Sequence, residues 1–198
     1  MKRVILVALL NFLLLPWIFG GVKPGDKAIS FTLLNVDGTA ISLSDYGHQK
    51  GVILIFTCNT CPFTKAYEER IIQLHNTYEA MGFPLLAINS NNSHISPDDS
   101  YKHMRERAIE KNYPFPYLKD ENEEVCKAYG ATRTPQVYLL EKSEDGFKVA
   151  YMGAIDDNSL DPRSVANRYL EKAIRALREG KRPDPATTRA IGCTIKTK

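Results

Sequence analysis

The chain is poor in the residue types that build metal sites: its 198 residues include four cysteines, four histidines and a single tryptophan. A structural zinc site needs two close pairs of Cys or His ligands. Beyond Cys58 and Cys61 the sequence offers only isolated Cys126 and Cys193 and the scattered His48, His75, His94 and His103, which excludes such a centre. Surplus charge is equally scarce, since 26 Lys and Arg against 23 Asp and Glu leave +3. The basic residues alternate with acids instead of gathering into a patch interleaved with aromatics, so nucleic acid is not an expected partner. There is no repeat, no metal set and no cofactor motif. What is present is 43% hydrophobic and 25% charged residues, enough apolar surface for one globular core without staples.

The one long hydrophobic run lies at the start. Lys2 and Arg3 precede Val4 to Leu15, and no charge appears until Lys23. Residues 1–21 therefore read as an export segment, either a signal peptide or an uncleaved membrane anchor. Gly20 or Gly21 could end a cleavage site, but Ile18 or Phe19 two places earlier fits poorly; the uncharged stretch to Val22 is long enough to cross a bilayer with the basic pair left on the cytoplasmic side. Both readings put residues 22–180 in the periplasm or another extracytoplasmic compartment, where disulfides persist.

Within that domain, Ile29 to Leu43 alternates around Asp37-Gly38 and predicts a β-hairpin. Val52 to Phe56 is a short apolar run rich in β-branched residues, as in a strand covered on both faces. After Pro62, which is tolerated in a first turn, Phe63, Tyr67, Ile71, Leu74 and Tyr78 recur at helical spacing. Phe83 to Ile88 predicts a second buried strand, and Ser96-Pro97-Asp98-Asp99 a helix start, with the helix running to about Asn112. Pro114 to Leu118 reads as extended and Asn122 to Tyr129 as a short helix stopped by Gly130. Gln136 to Leu140 and Phe147 to Met152 form a hairpin pattern. A last helix, opened by Asp161-Pro162 and carrying Val165, Tyr169, Leu170, Ala173, Ile174 and Leu177, ends at Gly180. The expected fold class is an α/β sandwich, a central mixed sheet flanked by helices with an N-terminal β-hairpin; residues 181–198 form a C-terminal tail reaching Cys193.

Chemistry concentrates where the first buried strand turns into a helix. Two cysteines separated by Asn59 and Thr60 can close a small disulfide loop, and the free N–H groups of the helix start favour a thiolate. Cys58 is the expected exposed nucleophile, and Cys61, one turn inward, the thiol that resolves a mixed disulfide. An inert structural bond is a weaker reading, because so small a ring constrains the unfolded chain little. Thr134-Pro135 opens a buried strand, a place where proline has a special backbone role and a cis bond is a natural candidate.

The segments Phe56-Thr57-Cys58-Asn59-Thr60-Cys61-Pro62-Phe63, Phe115 to Glu121, Ala128-Tyr129-Gly130-Ala131, Thr134-Pro135, Gly153 to Asp157 and Ile191 to Lys196 together resemble the thioredoxin-like superfamily. The likeness is closest to the redoxin branch, alkyl hydroperoxide reductase/thiol-specific antioxidant-like. The resemblance covers nearly everything after the leader and implies a cis Pro135 beside the cysteines, with the Thr134 backbone open to pairing with an extended substrate strand. The chain also departs from thioredoxin. Val52 stands where a buried acid would be, leaving Glu68 or Glu69 as substitutes; no tryptophan precedes the motif; and Arg133 stands where some relatives carry a cysteine.

Cys126 and Cys193 are open to three readings: a second disulfide pinning the tail, a small buried apolar residue at Cys126, or a reactive Cys193 that communicates with the pair. Asp156-Asp157 read as turn acids before cation ligands. The function expected is a thiol-disulfide oxidoreductase, a reductant or specialised enzyme, acting on protein thiols or disulfides or on small thiols. Its electron donor would be another protein, of a kind that could sit in the membrane. One alternative is a peroxiredoxin-like thiol peroxidase, although the threonine three places and proline seven places before a peroxidatic cysteine are absent: Cys61 has Cys58 and Leu54 there, Cys58 has Ile55 and Gly51. The other is a copper-binding thioredoxin-fold chaperone, for which His94 is the nearest additional ligand.

Overall fold

The computed structural model describes residues 20–198. The export segment assigned to residues 1–21 falls, up to residue 19, outside the described residues.

Strand β1 (Thr32–Asn35) turns through Gly38 into β2 (Ala40–Ser42), the expected hairpin, and β3 (Gly51–Thr57) leads to helix α1 (Pro62–Tyr78). Next come β4 (Leu85–Asn89), α2 (Tyr101–Glu110), β5 (Tyr117–Lys119), α3 (Glu124–Tyr129) and the two-residue β6 (Arg133–Thr134). The long hairpin β7 (Gln136–Ser143) and β8 (Gly146–Gly153), helix α4 (Tyr169–Arg178) and β9 (Cys193–Thr194) complete the order.

Seven strands make one sheet in the order β2-β1-β5-β4-β3-β7-β8, with β3, β4 and β5 parallel and the remaining pairs antiparallel. This is the mixed central sheet anticipated from the apolar runs. Alternate residues of β3 feed opposite cores. Val52, Leu54 and Phe56 pack with Leu86, Ile88, Tyr138 and Tyr129, while Ile53 and Ile55 pack with Ile71, Leu74, Leu139 and Ile174 of the helical face. Each fully buried Leu or Ile contributes about 1.5–3 kcal/mol, so the central strands carry much of the stability.

Two helix starts differ from expectation. Ser96 to Asp99 does not open α2; Pro97–Asp99 forms a 3₁₀ turn, and the helix begins only at Tyr101 because Asp99 points inward. Asp161 likewise caps a 3₁₀ turn, accepting from the Arg163 N–H at 3.0 Å, and α4 begins at Tyr169, so Val165 is not on it. Helix α3 does end at Gly130, whose φ of +72° is the left-handed conformation glycine adopts freely.

The tail folds back onto the domain. Residues Ala186 to Thr188 bond along Met152 of β8, and β9 pairs antiparallel with β6, Thr134 opposite Cys193. Ile195 is buried in the same core as Phe56 and Tyr129.

Candidate functional site

Strand β3 is buried along its whole length, and the chain leaves it at Cys58, which is itself buried. The motif then bends through Asn59 and Thr60 to Cys61, the N-cap of α1 (φ −68°, ψ 126°), with Pro62 in the first turn where it forfeits no intrahelical bond. Both sulfurs lie against the segment before Pro135. The Cys61 thiol donates to the Thr134 carbonyl at 3.2 Å, and the Cys58 sulfur meets the Thr134 hydroxyl at 3.3 Å. The Thr134–Pro135 peptide is cis.

The accessibility of the pair differs from the expectation. Cys58 was the anticipated exposed sulfur, yet Cys58 and Cys61 are each only 2% exposed. Two neighbours account for this: the Pro97–Asp99 turn holds the motif from one side through Asn59 and Thr60, and the β6–β9 ladder lies on the other.

The charge balance is also reversed from the simple picture. Cys61 is lowered to about 4, first by its hydrogen bond with Cys58 and, against the cost of burial, by the thiol of Cys193 and the N–H of Thr64 turned toward it from the first turn of α1. Cys58 is pushed well above the ordinary thiol range by that same hydrogen bond, by burial and by the charge of Asp99, the Thr134 hydroxyl opposing. The pair therefore gives up one proton readily, centred on Cys61, and holds the second strongly.

Asp99 is the residue of this site that the sequence pattern hid. It is completely buried and accepts from the Asn59 N–H (2.6 Å), the Ser96 hydroxyl (2.6 Å), Asn91 Nδ2 (2.8 Å), Asn89 Nδ2 (3.0 Å) and the Thr60 hydroxyl (3.1 Å). Burial pushes its carboxyl up, but these donors outweigh that and keep it below the usual carboxylate range. Tyr117 completes the cradle by donating to Asn59 Oδ1 at 2.9 Å while accepting from Asn89. A legible signal existed in the polar run Asn89-Ser90-Asn91-Asn92 directly after a buried strand, since four such residues at a core edge need partners.

The other predicted residues fall as follows. Glu68 is engaged by the Arg107 guanidinium at 2.9 Å and the Tyr113 hydroxyl, not by the cysteines. Arg133 is exposed and reaches the Gly192 carbonyl and the Thr194 hydroxyl at 3.4 and 3.0 Å, tying β6 to β9. Asp156 is buried and paired with Arg70 at 2.7 Å beside Tyr67, and Asp157 accepts from the N–H groups of Ala166 and Asn167. The four cysteines are free thiols. Cys126 donates to the Glu123 carbonyl at 3.2 Å inside the core, raised to about 11 by burial and the charge of Asp120, whereas Cys193 meets Cys61 rather than Cys126. Among the described residues no three candidate ligands gather to hold a metal ion, and His94 is not grouped with the cysteine pair.

Residues 24–150 match the AhpC/TSA family. An uncharacterized conserved protein from Geobacillus kaustophilus superimposes with a TM-score of 0.82 at 37% identity, covering 89% of this chain and 93% of that one. A Mycobacterium tuberculosis protein named as a putative peroxiredoxin is 32% identical over 117 residues, 59% of this chain and 69% of its own length. The thiol-disulfide oxidoreductase ResA of Geobacillus thermodenitrificans is 28% identical over 122 residues, 62% of this chain and 66% of its own.

Proposed function

The chain belongs to the AhpC/TSA family, in the redoxin branch of the thioredoxin-like superfamily, and from that premise we propose that it is a thiol-disulfide oxidoreductase whose Cys58 and Cys61 alternate between dithiol and disulfide. The observation that carries this reading is the placement of both sulfurs on Thr134, one on its carbonyl and one on its hydroxyl, at the N-terminus of α1. Once Cys61 gives up the proton it shares with the Thr134 carbonyl, its thiolate is a competent nucleophile toward a disulfide; the neighbouring Cys58 then resolves the mixed disulfide, or the roles exchange in the reverse direction. Substrates are protein thiols or disulfides and small thiols, renewed by an electron-donor protein. The reading of residues 1–21 as an export segment supports activity in the periplasm or another extracytoplasmic compartment, secreted or anchored, and the likeness to ResA supports the chemistry.

The test is equilibration of the purified protein with glutathione buffers. A two-electron couple confined to Cys58 and Cys61 is expected, with exchange abolished in both Cys58→Ser and Cys61→Ser while each retains its fold by circular dichroism. Unchanged exchange in either variant defeats the reading. A thiol peroxidase is the second reading, favoured by the relative named as a peroxiredoxin; rapid sulfenic acid formation at Cys61 or Cys58 with micromolar peroxide would establish it in place of the first.

A further inference from the structure

Two buried sulfurs at a redox centre leave a problem of access, because a disulfide exchanges only with a thiolate that reaches it. We propose that Cys193 is a third redox thiol, which attacks the Cys58–Cys61 disulfide at Cys61 and passes the oxidised bond to the protein surface as a Cys61–Cys193 disulfide. This rests on the dithiol reading above and adds to it an internal exchange partner and an exit route.

Three independent observations place Cys193 for this step. The first is the β6–β9 ladder, in which Cys193 stands opposite Thr134, the residue whose carbonyl accepts from Cys61. The tail thus lies along the backbone edge where an extended peptide would pair, with its own cysteine at the register of a substrate cysteine. The second is proximity, since the Cys193 thiol lies near enough to Cys61 for each to act on the other's ionisation. The third is accessibility: of the four cysteines Cys193 alone is not fully buried.

The position is built. Gly192 lies so close to the Thr134 carbonyl that any Cβ there would overlap it, which only glycine avoids. Ile195 is buried and its N–H bonds the Thr132 carbonyl at 3.0 Å. Beyond it the Lys196 carbonyl accepts from Asn92 N–H at 2.8 Å, and Lys198 N–H meets the Glu123 carboxylate at 3.0 Å. Cys193 is therefore fixed between two anchored stretches.

In the exchange the Cys193 thiolate forms a bond to Cys61 Sγ as the Cys58–Cys61 bond breaks. Cys58 leaves with the electron pair and takes up the proton that Cys193 released, so one disulfide replaces another and nothing is oxidised or reduced overall. A reducing substrate thiol then attacks Cys193 at the surface. In the reduced protein Cys193 is held at about 11 by burial and by the hydrogen bond and charge of Cys61, opposed by Lys196 and Arg133. Once Cys61 is in a disulfide its charge is gone, which eases ionisation of Cys193 at the moment it must attack.

The experiment maps disulfides in the full chain after equilibration in oxidising glutathione, acid quench, alkylation and trypsin. Cleavage leaves Cys58 and Cys61 together on residues 51–65, Cys193 on 190–196 and Cys126 on 120–127. In Cys58→Ser the expected product links 51–65 to 190–196. Glutathione on Cys61 with Cys193 still free, or a Cys126–Cys193 link, overturns the proposal. In the otherwise wild-type chain, Cys193→Ser should keep the Cys58–Cys61 disulfide but slow its reduction by glutathione by about tenfold or more, the advantage of an intramolecular nucleophile; an unchanged rate also overturns it. Absence of any Cys58–Cys61 disulfide in the wild type would instead sink the dithiol reading itself.

Discussion

At the scale of single residues, the centre depends on one carboxylate that touches no sulfur by hydrogen bond. Asp99 gathers donors from the motif and from Asn89, Ser96 and Asn91, so its replacement leaves several buried N–H and O–H groups without an acceptor. Asp99→Asn should cost about 2–3 kcal/mol of stability, read from denaturant midpoints, and should modestly lower the second ionisation of the cysteine pair, read from thiolate absorbance, because the Asp99 charge adds to the Cys61 hydrogen bond and burial that hold Cys58 protonated. The cysteines themselves were legible from spacing and from the strand-to-helix switch. Asp99 was not, because Ser-Pro-Asp-Asp carries the local signature of a helix start while the donors that turn it inward come from distant segments. The burial of Cys58 is hidden from the sequence for a related reason. A motif at a helix mouth suggests an open sulfur, and the segments that cover it are remote in sequence.

At the scale of elements, strands with continuous apolar runs and helix α1 with its regular spacing could be read directly, since the hydrophobic pattern itself specifies them. Strand β9 could not. A two-residue pairing carries no periodicity, and its partner β6 lies far upstream. Its hold depends on close approach more than on propensity, which gives a direct test. Gly192→Ala should lift β9 from Thr134, with loss of most of the roughly 1.5–3 kcal/mol that Ile195 gains from burial. Limited proteolysis should then cut at Arg189 and Lys196 faster than in the parent chain, and alkylation of Cys61 should accelerate. A tail still protected in this variant would mean that the Ile195 and Lys198 anchors suffice without the ladder.

At the scale of the whole molecule, the α/β sandwich follows from its two cores, and the redox state of one site should be felt across it through pH. Cys61 ionises in the folded dithiol at about 4 but near 9 in an unfolded chain. Between those limits the unfolded state binds the extra proton, so stability of the reduced protein should rise with pH through that window. Above it the sign reverses, because the unfolded chain ionises Cys58 while the fold resists doing so. Comparison of reduced and oxidised protein by urea denaturation isolates this contribution, as the disulfide form has neither thiol to titrate; parallel pH profiles would count against the assigned ionisation.

The strand that roofs the sulfurs has a further consequence for how the protein matures. Every other described strand and helix precedes β9 along the chain, so the sheet and α1 can assemble while the dithiol still lies open to an oxidant or chaperone. Until β9 pairs with β6, the sulfurs stand uncovered on the side that the tail later occupies.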